Sequence, residues 1–118
     1  MKIPTPRQVV AAYRKTGLRP TTGHAVAAGD GVCCALGALV YAKRGLGVEQ
    51  AMTEPYLYTA EAIHELGLPR VIGDNFASGF DSGMLGTEDG ESVQDIRRTK
   101  SFQAGVAAAK SCKRVFGD

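Results

Sequence analysis

Apolar residues recur at helical spacing near the start of the chain. The first group lies three or four residues apart and comprises Val9, Val10 and Tyr13. Thr5 and Gln8 stand at capping-box positions ahead of this stripe, with proline at the first helical position, and Gly17 supplies a left-handed stop. The pattern predicts a helix over residues 6–16.

The second element is apolar on every side. Residues 32–44 are hydrophobic or small until a basic last turn, and Gly45 follows them. A helix that is apolar all round is surrounded by other elements, and a basic last turn suits the helix dipole. Its small residues would let neighbouring helices approach closely: Cys33, Cys34, Ala35, Gly37 and Ala38. We therefore predict a buried central helix at about 32–44.

The next two helical patterns are shorter. One begins after residues 53–55 and ends at Gly67, and its apolar stripe comprises Tyr56, Ala60, Ile63 and Leu66. Pro69 opens the other, and the residues expected on its apolar face are Ile72, Phe76, Gly79 and Phe80. We interpret Gly79, Gly83 and Gly86 as the fraying end of this helix and the loop beyond it.

The last pattern extends from a capping-box-like stretch at 92–95 to Phe116, and the polar residues 97–101 would divide it into two helices. No segment shows a sustained alternation of apolar and polar residues, so a sheet is not expected. The sequence therefore predicts an all-α fold. It would be a compact single-domain bundle of five to six short helices, residues 1–118, around the central helix.

Composition indicates a globular protein of the cell interior. The 118 residues are 44% hydrophobic and 22% charged, which fits one folded domain. Three cysteines are an odd number, which favours free thiols in a reducing cytosol over a disulfide framework. The N-terminus has no apolar run of the signal-peptide type, and the longest apolar run, 32–42, is too short to span a bilayer. We expect a cytoplasmic protein that does not act at a membrane.

Charge is divided into three blocks along the chain, although the net charge is only +2. Residues 1–48 carry seven bases and one acid, residues 49–96 carry ten acids and one base, and residues 97–118 carry six bases and one acid. Such blocks can neutralise one another within the fold, pair two chains, or leave a basic face for an anionic partner. We expect mutual neutralisation, with a basic surface as the alternative.

A long loop before the central helix is the first candidate site. Residues 18–31 contain a Gly-Asp-Gly turn that leads into the predicted helix, where backbone N–H groups can hold an anion. The candidate ligand-binding residues are Arg19, His24, Gly29, Asp30, Gly31 and Cys33. No Walker lysine follows the turn and no strand pattern precedes it, so a simple tight turn is the competing interpretation.

The thiols and the basic C-terminal segment are further candidates. Cys33 and Cys34 would lie in the first helical turn, where the dipole lowers a thiol pKa, with His24 or His64 as base. Adjacent cysteines in an apolar helix are more often core residues. The candidate phosphate contacts are Arg97, Arg98, Lys100, Lys110, Lys113 and Arg114. No pair of Cys or His residues has the spacing of a structural zinc site, so we predict neither metal nor cofactor.

Three stretches carry a resemblance: Gly-Asp-Gly-Val-Cys-Cys-Ala-Leu-Gly-Ala-Leu at 29–39, Phe-Ala-Ser-Gly-Phe-Asp at 76–81 and Phe-Gln-Ala-Gly-Val-Ala-Ala-Ala at 102–109. They resemble uncharacterised small helical proteins of bacteria and phages, a group without an established activity. The resemblance implies a compact helical domain and transfers no catalytic residue. Gly37, Gly79 and Gly105 each cost about 1 kcal/mol relative to alanine in a helix, and close helix packing is the expected compensation.

The sequence contains no convincing constellation of acid, base, nucleophile or metal ligands. We therefore predict a small non-enzymatic binding or regulatory protein that acts through a protein partner or self-association. The first alternative is a nucleotide or nucleic-acid binder that uses the loop at 19–31 and the basic C-terminal helix. The second alternative is a thiol-dependent enzyme.

Overall fold

A computed structural model of the protein describes residues 3–22, 31–53, 58–87 and 99–117. Within these ranges the chain forms six helices and one pair of very short strands. The helices are α1 (Pro6–Thr16), α2 (Ala35–Arg44), α3 (Val48–Thr53), α4 (Thr59–Glu65), α5 (Arg70–Leu85) and α6 (Lys100–Phe116), and the strands are β1 (Arg19–Pro20) and β2 (Val32–Cys33). The predicted fold class is confirmed, because the protein is a compact and mostly helical globule.

Helix α1 has the ends that its sequence predicts. The Thr5 hydroxyl accepts a hydrogen bond from the Gln8 backbone N–H at 3.2 Å, and the Gln8 side chain accepts one from the Thr5 N–H at 2.9 Å. At the other end Gly17 has a φ of 78°, and its N–H donates to the Tyr13 carbonyl at 2.9 Å. This reciprocal cap and left-handed stop fix the limits of α1.

A two-stranded parallel sheet precedes α2, which the sequence did not lead us to expect. Arg19 pairs with Val32 and Pro20 with Cys33, and the Thr21 N–H donates to the Cys33 carbonyl at 3.0 Å. Two residues per strand are too few for an alternating pattern, so the sequence carries no signal of them. Because this pairing holds residues 32–33 extended, the predicted helix over 32–44 begins only at Ala35.

Helix α2 is the buried centre of the fold, as predicted. Among its fully buried side chains are Leu36, Val40 and Tyr41, and the helix packs against α1, α4 and α5. Its last turn is basic, and Gly45 ends it with a φ of 74°. Burial on nearly every side, with only Leu39 and Ala42 half-buried, explains why the helix lacks polar residues until that last turn.

Helices α5 and α6 form the tightest pairing. A Cβ atom at Gly79 would lie 2.0 Å from the Phe102 carbonyl oxygen, and one at Gly105 would lie 2.2 Å from the Phe76 carbonyl oxygen. This confirms that close packing compensates for both glycines. The interpretation of Gly79 and Gly83 as a fraying end is wrong, because α5 continues past both and ends at Gly86.

The middle of the chain departs in detail from the predicted pattern. Helix α3 was not anticipated, and in α4 the side chain of Ala60 is exposed whereas Ala62 and Ile63 are buried. Thr99 is the N-cap of α6, and its hydroxyl accepts a hydrogen bond from the Phe102 N–H at 3.2 Å. Helix α6 therefore starts at Lys100, within the polar stretch 97–101 that was predicted to divide two helices. The capping-box pattern at 92–95 lies outside the described residues. No helix in the described part of the chain is long and apolar enough to cross a membrane.

Candidate functional site

Helices α1 and α6 pack against each other and leave a groove between their outer edges. We call it the basic groove. It has a volume of about 740 Å³ and is lined by Pro6, Arg7, Val10, Ala11, Arg14, Lys15, Ser111, Arg114 and Val115. Four of these nine side chains are cationic and none is acidic, while Val10, Ala11 and Val115 provide apolar contact surface. The first and third charge blocks of the sequence therefore meet at this groove.

The cations of the basic groove are not neutralised by acids that the structure describes. The ion pairs in the described ranges are Arg44 with Glu65 and Arg70 with Asp74, and neither involves a groove residue. Arg114 donates a hydrogen bond to the neutral Ser111 hydroxyl at 3.1 Å. The first of these two pairs joins different charge blocks, as mutual neutralisation would require, and the second lies within the acidic block.

A second cavity adjoins the basic groove, and we call it the end cavity. It has a volume of about 420 Å³ and is lined by Tyr13, Arg14, Gly17, Leu18, Arg19, Pro20, Met84, Phe116 and Gly117. Arg14 lines both spaces and so connects them. The end cavity combines the two arginines Arg14 and Arg19 with the aromatic rings of Tyr13 and Phe116. The side chain of Phe116 is 40% exposed.

Tyr13 forms the inner wall of the end cavity and ties it to the core. Its hydroxyl donates a hydrogen bond to the Cys33 carbonyl at 2.8 Å. Its ring stacks on Phe80 with centroids 6.4 Å apart and meets Phe116 edge-on at 5.9 Å. Burial raises the pKa of Tyr13 well above 10.0, and the neighbouring thiols raise it further, so the hydroxyl stays a neutral donor.

The three cysteines lie in the core. Burial raises the pKa of Cys34 to about 11 and that of Cys112 to about 11, and it raises the pKa of Cys33 well above 9.0. Cys33 lies in β2 and Cys34 is the N-cap of α2, so their predicted place in the first helical turn is wrong. Thiols in this state lack the thiolate that nucleophilic catalysis requires.

The predicted ligand-binding loop is only partly within the described residues. Arg19 is exposed and lines the end cavity, but Cys33 is fully buried and unavailable to a ligand. Gly31 is buried, has a φ of 71°, and its carbonyl accepts the Arg19 N–H at 3.0 Å. Gly31 leads into β2 instead of a helix start, and the N-cap of α2 comes only at Cys34, so the predicted helix N-terminus does not directly follow Gly31. His24, Gly29 and Asp30 lie outside the described residues.

The predicted basic helix is also only partly within the described residues. Lys100 opens α6 and Arg114 lies in its last turn, roughly 21 Å further along at 1.5 Å per residue. Of the four predicted cations that the structure describes, Arg114 lines the basic groove, whereas Lys100, Lys110 and Lys113 do not. Arg97 and Arg98 lie outside the described residues.

Sequence reasoning missed the contribution of α1 to the basic groove. Arg7, Arg14 and Lys15 are exposed, on the side of α1 away from its buried stripe. A signal was present, because these three bases belong to the strongly basic first block and fall between the apolar positions of a well-capped helix. What the sequence does not reveal is that α1 packs beside α6, which brings Arg114 to the same groove.

An apolar groove lies on another side of α1. It has a volume of about 480 Å³ and is lined by Pro4, Gln8, Ala11, Ala12, Lys15, Leu39, Ala42, Lys43, Leu66 and Leu68. Its walls come from α1, α2 and the turn after α4, and two lysines are its only charged lining residues. No cluster of three or more His, Cys, Asp or Glu side chains suited to a metal ion occurs in the ranges that the structure describes.

No family model, curated protein or solved structure matches the chain. The resemblance to uncharacterised bacterial and phage proteins therefore stays a prediction. The function has to be inferred from the two grooves and the end cavity themselves.

Proposed function

We propose that this protein is a small non-enzymatic nucleic-acid-binding protein that holds the phosphate backbone in the basic groove. The observation that carries the proposal is the set of four cations on the facing edges of α1 and α6, in a lining without an acid. Neutralising phosphates with Lys and Arg releases condensed counterions, which is the main driving force of sequence-independent nucleic-acid binding.

The spacing of the cations suits a chain of phosphates. Arg7 and Arg14 are seven residues apart on α1, which is roughly 10 Å along the helix axis. Phosphates of one duplex strand recur about every 3.4 Å along the duplex axis. The two long, exposed side chains can therefore contact different phosphates of one backbone, and Arg114 reaches the same backbone from the other side of the groove.

We infer a binding role instead of a catalytic one from the state of the thiols. All three cysteines are buried, and their raised pKa values keep them protonated near neutral pH. His64 is exposed on α4 whereas Cys33 and Cys34 are enclosed in the core, so nothing in this arrangement supports a histidine-activated thiolate.

The test is fluorescence anisotropy with labelled oligonucleotides. The groove variant Arg7→Gln/Arg14→Gln/Arg114→Gln should lower the affinity at least about 50-fold at low salt, because three phosphate contacts are lost. A control with the same net charge, Arg44→Gln/Arg70→Gln/Lys100→Gln, removes cations that lie outside the basic groove and should change the affinity little. For the unmodified protein, affinity should fall about 50- to 150-fold between about 50 and about 200 mM salt if four phosphates are neutralised.

Two results would overturn this function. One is the absence of binding to single- and double-stranded DNA and RNA at low salt. The other is an equal loss of affinity in the groove variant and in its charge-matched control, because general charge and not the basic groove would then account for binding.

The apolar groove favours a second candidate, a protein partner or a second copy of the chain. Its lining from Leu39, Leu66 and Leu68 is apolar, and Lys15 and Lys43 stand beside it. An amphipathic helix with acidic flanks matches this surface. Light scattering at low and high salt would reveal self-association, and Ala42→Glu, which places a carboxylate in the groove, should abolish it.

A further inference from the structure

Phe116 is a large apolar side chain that is 40% exposed at the end of α6. Its ring meets the buried Tyr13 edge-on, with centroids 5.9 Å apart and planes at 68°. Tyr13 is itself fixed, because it stacks on Phe80 and donates a hydrogen bond to the Cys33 carbonyl. The partly exposed ring of Phe116 therefore packs on Tyr13, a core side chain held in place by these two contacts.

The surroundings of this ring are cationic. Arg14 and Arg19 line the end cavity together with Phe116, and Arg14 also lines the basic groove. The volume of about 420 Å³ is within the usual size of small-ligand sites, which is about 300–1,000 Å³. A supported aromatic ring beside a cationic groove is the arrangement with which proteins bind single-stranded nucleic acids.

We propose that the end cavity takes one unpaired base of a single-stranded nucleic acid, stacked on Phe116. Arg14 and Arg19 would contact the phosphates on either side of that base, and the backbone would continue from Arg14 into the basic groove. The inference rests on the proposed function and adds the substrate class to it. A duplex keeps its bases paired and stacked within the helix, so it can use the basic groove but offers no base to Phe116.

The first experiment uses the unmodified protein. A short oligothymidylate and an abasic oligonucleotide of the same length carry the same phosphates, and only the former has bases. Because stacking contributes about 5- to 150-fold per base, the oligothymidylate should bind at least about fivefold more tightly at equal salt. Equal affinity for the two would overturn the inference and leave binding in the basic groove intact.

The second experiment changes the ring. Phe116→Leu keeps an apolar side chain but removes the flat face, so the preference for oligothymidylate over the abasic strand should disappear. The dependence of affinity on salt should stay the same, since Arg14 and Arg19 are unchanged. A merely structural role of Phe116 predicts instead a parallel loss of affinity for both strands together with a lower melting temperature, and that result would also overturn the inference.

The third variant reports on stacking directly. The chain contains no tryptophan, so Phe116→Trp introduces a single fluorophore at the proposed stacking position. Its emission should be quenched when oligothymidylate is added and unchanged when the abasic strand is added. The double variant Arg7→Gln/Arg114→Gln leaves Arg14 in place, because Arg14 lines both the basic groove and the end cavity. It should lower the affinity for both strands alike, so it tests the proposed function separately from stacking on Phe116.

Discussion

The two sides of α6 differ in how closely they meet their neighbours. Towards α5, the helix backbones approach until no Cβ fits at Gly79 or Gly105. Towards α1, the helices separate enough to leave the basic groove of about 740 Å³. Within the described residues, a single helix therefore takes part in both a backbone-to-backbone helix contact and a cationic groove.

The difference follows from side-chain size. Gly105 and Ala109 face α5, and small residues permit backbone contact with a dense gain of van der Waals energy. Arg114 and Val115 line the other side, where long cationic chains extend to solvent and cannot interdigitate. Stability is therefore expected to depend on the α5 side, and binding on the α1 side.

Filling the glycine contact should have the largest effect. In Gly79→Ala or Gly105→Ala the new methyl group would meet a carbonyl oxygen at 2.0 or 2.2 Å, so the two helices must move apart. We expect a loss of about 3 kcal/mol in the free energy of unfolding, at the upper end of overpacking effects and larger than the gain of about 1 kcal/mol in helix propensity. Urea denaturation followed by circular dichroism measures it.

The matched control is Ala107→Ser, which changes an exposed position of the same helix. It should alter the stability by no more than about 0.5 kcal/mol. If Gly79→Ala or Gly105→Ala changed the free energy of unfolding as little as this control, α6 would not be closely packed on its α5 side.

The second prediction concerns the rate at which the buried thiols react, and its expected effect is also large. At a pKa of about 11 the thiolate fraction of Cys34 and Cys112 is about 100-fold below that at the ordinary value of 9.0. Labelling with a disulfide reagent at neutral pH should therefore be at least about 100-fold slower in the native protein than in denaturant. Gly105→Ala should speed the labelling of Cys112, while Arg114→Gln should not. Rapid labelling of one thiol in the native protein would instead support the alternative that this protein is a thiol-dependent enzyme.

Particular residues show how far the sequence could predict this arrangement. The limits of α1 follow from local rules, because Thr5, Gln8 and Gly17 act within a few residues of one another. Local rules mislead at Val32 and Cys33, because a long-range pairing with β1 holds them extended. The basic groove could not be predicted for the same reason, since it too depends on contacts between distant parts of the chain. Each of its cations is visible in the sequence, but their convergence depends on the packing of α1 against α6.

Tyr13→Phe tests the link between the core and the end cavity, with a smaller effect. The change removes the 2.8 Å hydrogen bond from the Tyr13 hydroxyl to the Cys33 carbonyl. That carbonyl keeps the Thr21 N–H as a second donor, so no acceptor is left unsatisfied. We expect a loss of about 1 kcal/mol in stability, measured by thermal denaturation, with nucleic-acid affinity unchanged because the ring still supports Phe116. A large loss of affinity at unchanged stability would show that the hydroxyl itself contacts the ligand.

Glu65→Gln should have the smallest effect, and it shows what surface charge contributes to stability. Arg44 donates hydrogen bonds to the Glu65 carboxylate, one of them at 2.7 Å, and holds the pKa of Glu65 below its ordinary value of 4.5. A carboxyl whose pKa is lowered in the folded state contributes stability above the unfolded pKa, and this contribution is lost as the pH falls through the folded value.

At neutral pH the variant Glu65→Gln should lose no more than about 1 kcal/mol in the free energy of unfolding, as is usual for exposed pairs. Its stability should also decline less than that of the parent protein as the pH falls below about 4.5, which urea titrations over that range would measure. If so small an effect is found for a well-formed ion pair, the cations of the basic groove, which pair with no acid that the structure describes, should contribute still less to stability. A role in binding then becomes the better explanation of their convergence. A loss of several kcal/mol at neutral pH would mean that surface charge stabilises this fold, and the separation between the two sides of α6 would no longer hold.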